Sequence, residues 1–380
     1  MSGTDGRELP ALDTFPGLVL TLTALSGELP AALISRLPAS DSYKEYTVKR
    51  LKQDNLLRTY YRNGVRGLRL TAAAKKLLLA GWPDQFSPYL SGSTETNQLK
   101  SEITRRLRLH RMAEVLVTMY NAGALMFPWE KPPIFQPDPP PADICIPQPL
   151  YYSSREVKEL GQQAIKVRNS RSTGVLLTDG GIFIVYNIGP YQIKWEYKAE
   201  IRLKGLLFWE LSQTRLPEIF MGVEQSVIVF GADMDRLDTL MGVSGESSHN
   251  YFVLDGGFNH VYFLTNDHKG ETLLRLLCDL DLRESLDTVL SENLRPPDPD
   301  LPMENDGLDG DMPVLFGYTC DMPRIRRFDS ALGIQKVSGL LICFDFQAEA
   351  LRRCCSPRVQ FQCLDFEECE RRVFQSQGNS

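Results

Sequence analysis

The chain has 380 residues, 43% apolar and 24% charged, with a formal net charge of -6. This balance excludes fibrous and wholly disordered proteins and leaves length for two or three packed domains. The chain does not open on a basic, apolar leader, and no run approaches the roughly 18 apolar residues of a membrane span, so a cytoplasmic protein without membrane contact is expected.

Eight cysteines, at 145, 278, 320, 343, 354, 355, 363 and 369, form no CxxC pair, and the four histidines are scattered. Reduced thiols are expected rather than a disulfide framework or a zinc site, and no cofactor or metal is implied. The net charge conceals a polarity. Residues 41–82 hold ten Lys or Arg against three acids, a local charge of +7, while the rest of the chain carries -13. A basic island on an acidic protein is the footprint of a polyanion-binding surface, although many such segments are merely solvated.

In chain order, the nearly continuous apolar run 15–25 predicts a short buried helix ended by Ser26-Gly27. Residues 28–37 predict a second helix, with Pro30 near its start and Pro38 closing it. A third helix over about 43–55 has a capping-box pattern, Ser42 with Glu45. Helical spacing puts Val48, Leu51 and Asn55 on its buried side. Tyr43, Tyr46, Arg50 and Gln53 then face outward, flanked by Lys44, Thr47 and Lys49. Asn63-Gly64 between the strand-like segments 58–62 and 65–70 is a strong hairpin signal, and Thr71 caps a fourth helix over 72–80.

Helix, helix, helix, hairpin, helix is the order of a winged helix-turn-helix, whose third helix enters the major groove while the hairpin lies along the backbone. In that reading Arg50 and Gln53 can pair with guanine and adenine edges. Arg58, Arg62, Arg66, Arg69, Lys75 and Lys76, with Lys44 and Lys49, hold phosphates of double-stranded DNA. A winged helix used for protein contact is the alternative.

Residues 82–97 read as a linker, and 98–121 as a long helix. Its Arg105, Arg106, Arg108 and Arg111 either extend the DNA surface or form a solvated or dimer-facing stripe, and His110 reads as a packing residue. Nine prolines in 128–149 imply an extended surface crossing. Beyond it, the pattern predicts a helix over 155–167, a hairpin over 173–186 around Asp179-Gly180-Gly181, and a helix over 194–211. Strands at 226–230, 250–254 and 259–264 and helices at 270–278 and 282–291 complete an α/β half.

Helix, hairpin, helix and returning strand form the core arrangement of PD-(D/E)XK nucleases. Asp179, Glu196 and Lys198 are the candidate metal-holding and water-orienting set. Glu196 and Lys198 fall on a predicted helix, where residues two apart diverge, and Asp179 falls in a turn. The positions where that fold carries its acids hold Thr173, Val185 and Asn187, so an inactive domain is expected, with a metal-dependent nuclease as the alternative.

This layout resembles the plasmid replication-relaxation proteins of Gram-positive bacteria and their conjugative elements, which join a winged helix to a nuclease-like domain. The resemblance covers about residues 13–290. It rests on the winged helix, on Leu107-Arg-Leu-His-Arg-Met-Ala-Glu114 and on Gly174-Val-Leu-Leu-Thr-Asp-Gly-Gly-Ile-Phe-Ile-Val-Tyr-Asn187. It implies DNA handling on a mobile element, with replication or conjugation proteins as further partners and a homodimer left open. A ligand-sensing transcription regulator is a third reading.

The C-terminal part begins with residues 296–312, which carry six acids, four prolines and no Lys or Arg and read as an acidic linker; the calcium-loop reading of 306–311 lacks the ligand spacing. Strands at 314–317, 339–344 and 358–364 predict another α/β unit, and Arg324, Arg326 and Arg327 form a basic knot that meets either a partner or nearby acids. The fold class expected is a multidomain α+β or α/β chain. Its parts are a winged-helix domain 13–82, a connecting helix 98–123, a Pro-rich linker 124–150, a nuclease-like domain 151–292 and a C-terminal α/β extension 313–370.

Overall fold

The structure is a computed structural model that describes residues 9–92, 101–136, 140, 144–157, 159–160, 165–166, 170–190, 197–240, 257–298 and 303–375. The chain is a mixed α+β protein with two compact units. One holds residues 1–121 and 126–131, the other 122–125 and 132–380.

In the first unit α1 (Phe15–Ser26) starts where the Thr14 hydroxyl accepts from Gly17 N and stops at Gly27, whose φ of 80° is the left-handed conformation glycine permits. The expected second helix is instead a two-residue strand β1 (Leu29–Pro30) and a 3-10 turn over Ala31–Arg36. Leu29 is buried against the sheet opposite Leu68, and Pro38 forces Leu37 into extended geometry, so too few residues remain for an α-helix.

Helix α2 (Asp41–Gln53) is capped at Ser40, not Ser42, and no side chain completes the capping box; Asp41 instead meets the positive end of the helix dipole. Its buried stripe is Lys44, Thr47 and Leu51, with Val48 half-buried, whereas Asn55 lies outside the helix at φ 54°. Strands β2 (Leu57–Arg62) and β3 (Val65–Leu70) pair antiparallel, with Asn63 and Gly64 at φ 51° and 76° as a tight turn of this hand requires. Thr71 caps α3 (Ala72–Gly81) by accepting from Ala74 N at 3.1 Å.

The segment read as a linker contains a helix, α4 (Pro83–Leu90), because Phe86, Tyr89 and Leu90 bury themselves and Phe86 contacts Trp82 and Trp129. The remainder of that segment, 93–97, lies outside the described residues. Helix α5 (Ile103–Asn121) closes the unit with Leu109, Ala113, Leu116 and Val117 buried.

In the second unit, β4 (Leu150–Ser153) precedes a small ribbon of β5 (Glu159–Leu160) and β6 (Ile165–Lys166), which replaces the helix expected over 155–167. Strands β7 (Gly174–Thr178) and β8 (Gly181–Gly189) make the expected hairpin, and α6 (Tyr197–Trp209) continues into a π-helical turn at Glu210–Arg215 and a short α7 (Pro217–Phe220). Then follow β9 (Gln225–Gly231), α8 (Arg236–Leu240), β10 (His260–Thr265), α9 (His268–Cys278) and α10 (Leu280–Ser291). The five-stranded sheet has the order β10-β9-β8-β7-β4, parallel from β10 to β8 and antiparallel from there. The strand expected at 250–254 falls outside the described residues.

The acidic segment is not simply a linker. β11 (Gly307–Asp309) forms a hairpin with β12 (Met312–Phe316), and the chain alternates through α11 (Met322–Gln335), β13 (Gly339–Phe344), α12 (Asp345–Cys354), β14 (Val359–Leu364) and α13 (Phe366–Gln375). This four-stranded sheet is separate from the five-stranded one, but both share one core, in which Val229 and Phe263 join Cys320, Met322, Phe328 and Leu341. Phe263 N donates to Cys320 O at 3.1 Å. The C-terminal extension therefore packs into one unit with residues 151–292. The Pro-rich stretch contributes Ile134, Phe135 and Ile146 to the same core, so it is not a surface crossing alone: apolar side chains spaced between prolines anchor it.

Arg324 pairs with Glu304 at 2.7 Å and Asp306 at 2.6 Å, and Arg327 with Glu304 at 3.0 Å, so the acidic segment neutralises much of the basic knot. Among the described residues, no helix is long and apolar enough to cross a membrane.

Candidate nucleic-acid interface

Between the 3-10 turn, α2 and β3 lies a concavity of about 920 Å³, whose lining includes the cations Lys44, Lys49, Lys52 and Arg66 and the acids Asp41 and Glu45, with Gln53 and Leu68. Because the buried stripe runs through Lys44, Thr47 and Leu51, the outward direction of α2 centres on Lys49 and Gln53, with Tyr46 beside them at 60% exposure. Arg50 and Tyr43 are exposed but lie nearer the edge. Arg50 pairs with Asp54 at 2.9 Å, and the Tyr43 ring packs 5.6 Å from Phe15. From the hairpin and α3, Arg58, Arg62, Arg66 and Lys76 are exposed, and Lys75 is half-buried.

Three residues assigned to this surface from the sequence are buried and present little or nothing to it. Lys44 is 8% exposed and folds its ammonium back to Ser35 O at 2.8 Å and Asp41 at 3.1 Å; its long stem lies in the core and its head reaches a local acceptor. Thr47 is buried beside it. Arg69, 3% exposed, is held by Glu28 at 2.6 Å.

Glu28 is the acid the sequence did not single out. Fully buried, it accepts from Arg69 Nε at 2.8 Å, from Arg106 Nη2 at 2.6 Å and from His110 Nε2 at 2.9 Å. Arg106, also fully buried, donates onward to the carbonyls of Arg62 at 2.9 Å and Val65 at 3.0 Å, and both guanidinium groups lie over the Tyr60 ring. The network thus fastens the hairpin backbone to α5. Arg106 drops out of any extended basic surface, and His110 is a bonded core residue. Burial pushes the Glu28 carboxyl up, but the bonds from His110, Arg106 and Arg69 outweigh it and hold it at about 2.

Gly67 sits where a Cβ would overlap the Glu28 carboxylate. Gly67→Ala is expected to destabilise the first unit by about 1–3 kcal/mol, read from its urea midpoint. An unchanged midpoint would mean that the network yields without cost.

Two half-buried lysines lie among the exposed cations. Burial and then the Arg66 guanidinium hold the Lys52 ammonium below its ordinary pKa, and burial followed by Arg58 and Arg69 does the same to Lys75. Like charges gathered on a concave face raise the protein's own energy and lower that of an anion placed there.

In the second unit, Thr173 is buried and donates to Val185 O at 3.0 Å, Val185 is fully buried, and Asn187 accepts from Gly189 N at 2.8 Å and Asn266 at 3.0 Å. Each is a packed or bonded structural residue. Asp179 is exposed in the β7–β8 turn and Lys198 exposed on α6, while Glu196 lies outside the described residues. A buried acid that sequence reading missed, Glu200, accepts from Ser170 at 2.9 Å, Arg171 N at 2.6 Å and Tyr186 at 2.8 Å, and burial raises its pKa despite those bonds. Among the described residues, no group of three His, Cys, Asp or Glu side chains is placed to hold a metal ion.

His260 is bonded at both ring nitrogens, Nδ1 to the buried Asp321 at 2.6 Å and Nε2 to Glu224 at 2.6 Å. The Asp321 bond, opposed by burial and helped by Glu224, raises its pKa. A raised pKa means the stabilisation is complete below about pH 6.5 and fades as pH rises through the folded-state value. Urea midpoints compared between about pH 6 and 9 should fall in the parent and fall less in His260→Gln. Parallel declines would remove His260 from the account.

Comparison of the chain with family models, curated proteins and solved structures finds no match.

Proposed function

We propose that the protein binds double-stranded DNA through the α2–hairpin face of its first unit and does so without cutting it. The observation that carries this reading is the gathering of Lys49, Lys52 and Arg66 around one concavity, where they outnumber the lining acids Asp41 and Glu45 and where burial and then Arg66 disfavour the Lys52 ammonium. The element order supports a winged helix-turn-helix, with α2 as the groove helix and β2–β3 as the wing.

The second unit supports a nuclease-like scaffold: an antiparallel meander of β4, β7 and β8, then α6, then β9 returning parallel to β8. With Thr173, Val185 and Asn187 at the positions of the acids, that scaffold serves assembly or contact with replication or conjugation proteins. The motif resemblance extends the proposal to a cytoplasmic protein of a plasmid or conjugative element.

The test is fluorescence anisotropy of the full chain on labelled duplexes over a range of salt. Arg62→Ala is expected to weaken binding to every sequence and to lower the salt slope by about 0.9, as loss of one phosphate contact would. Arg50→Ala, beside the groove face, is expected to act mainly on the preferred sequence, by about 1–3 kcal/mol. No duplex binding at low salt would overturn the proposal; equal losses on all sequences from both variants would overturn the division of roles. Incubation with plasmid and magnesium or manganese tests the second half: nicking abolished by Glu196→Ala would overturn the non-cutting reading.

A further inference from the structure

A second concavity in the first unit has the opposite chemistry. About 420 Å³ in volume, it lies among residues 12–18, Pro38, Tyr120 and residues 127–130. Its walls include the rings of Phe15, Tyr120, Phe127 and Trp129, and its charged lining residues are Asp13 and Glu130. Phe127 and Trp129 stack with centroids 5.2 Å apart and planes 6° from parallel, and Tyr120 tilts against Phe127 at 6.2 Å. No Lys, Arg or His is among the described lining residues; Lys131, next in sequence to Glu130, donates to Met126 O at 3.0 Å and attracts the Glu130 carboxylate from outside the lining.

We infer that this pocket is a binding site for an organic cation of the alkylated ammonium class. Aromatic faces carry the negative part of the ring quadrupole and attract a cation that has shed its water. The two carboxylates, of which Glu130 accepts from the Phe127 backbone N–H, add negative charge to a pocket whose described lining holds no cationic side chain. A trimethylammonium group satisfies both requirements, because its methyl groups wet the rings while its charge answers Asp13 and Glu130. A neutral apolar ligand would leave the carboxylates idle. A metal ion would find two acids and rings that do not ligate it. The volume falls within the roughly 300–1,000 Å³ of small-molecule sites. Burial raises the Glu130 carboxyl against the opposing effects of the Phe127 backbone bond and of Lys131, and burial with Glu130 nearby raises the Tyr120 hydroxyl.

The site is independent of DNA binding and is tested on the full chain. Choline is titrated by calorimetry and by tryptophan fluorescence against its neutral carbon analogue, in which a quaternary carbon replaces nitrogen. Choline should saturate, and the analogue should bind at least about tenfold more weakly. Trp129→Leu should weaken choline by about tenfold or more, and Glu130→Gln, at the exposed rim, by about threefold or more. Equal affinity for the two compounds, or no saturable choline binding up to about 10 mM, overturns the inference. If a lowered melting midpoint shows that Trp129→Leu disturbs the fold, Glu130→Gln carries the test, and an unchanged choline affinity there overturns it as well.

Discussion

Glu28→Ala is expected to cost the first unit about 3–5 kcal/mol, a large share of the ordinary stability of a domain, because it leaves two guanidinium groups buried without their anion. Arg69 and Arg106 are 3% and 0% exposed and cannot reach water without opening the hairpin from α5. Hydrogen exchange of α1, β2 and β3 in the full chain separates this unit from the other. The acid limb gives an independent reading. The carboxyl is held at about 2 against an ordinary 4.5, so its contribution, about 3 kcal/mol, is complete above about pH 4.5 and lost as pH falls through about 2. Glu28→Gln should lack that acid-sensitive part. Protection and an acid limb like those of the parent in both variants would show that the guanidinium groups find other partners.

The same network marks the boundary of what the sequence reveals. Features set by neighbouring residues were legible: the Gly27 stop, the Asn63-Gly64 turn, the Thr71 cap and the β7–β8 hairpin each depend on a few local dihedrals and one or two bonds. Arg69 looked like a phosphate ligand because it stands in a basic hairpin, yet its partner is 41 positions away, and the partner of Arg106 is 78 away. Nothing in a strand pattern signals that distance. Pro30 suggested a helix start, a sound local inference that pairing of Leu29 with Leu68 overrode. The outward face of α2 was displaced for a related reason: Lys44 was counted as polar and therefore exposed, although its stem is apolar. At 173, 185 and 187 sequence reading finds no acids. It missed Glu200, because a buried acid on a helix is recognisable only once Ser170, Arg171 and Tyr186 are seen to converge on it.

Removing the charges of Lys49, Arg62 and Arg66 together should lower duplex affinity at low salt by about 100- to 1,000-fold and reduce the salt slope by between about two and three, as loss of up to three phosphate contacts implies. All three side chains are exposed, so the fold should hold. Lys52 supplies the sharper contrast. In the free protein its ammonium is disfavoured by burial and by Arg66, so Lys52→Met should leave the urea midpoint unchanged or raise it while weakening duplex binding. Arg69→Ala should do the reverse in kind, destabilising the fold through Glu28 and affecting DNA only through that loss. An anion-binding face is the arrangement in which a cation costs stability and contributes affinity at the same position. If Lys52→Met lowered stability and left the duplex isotherm untouched, the crowded cations would be part of the scaffold, and the concavity would have no claim to DNA.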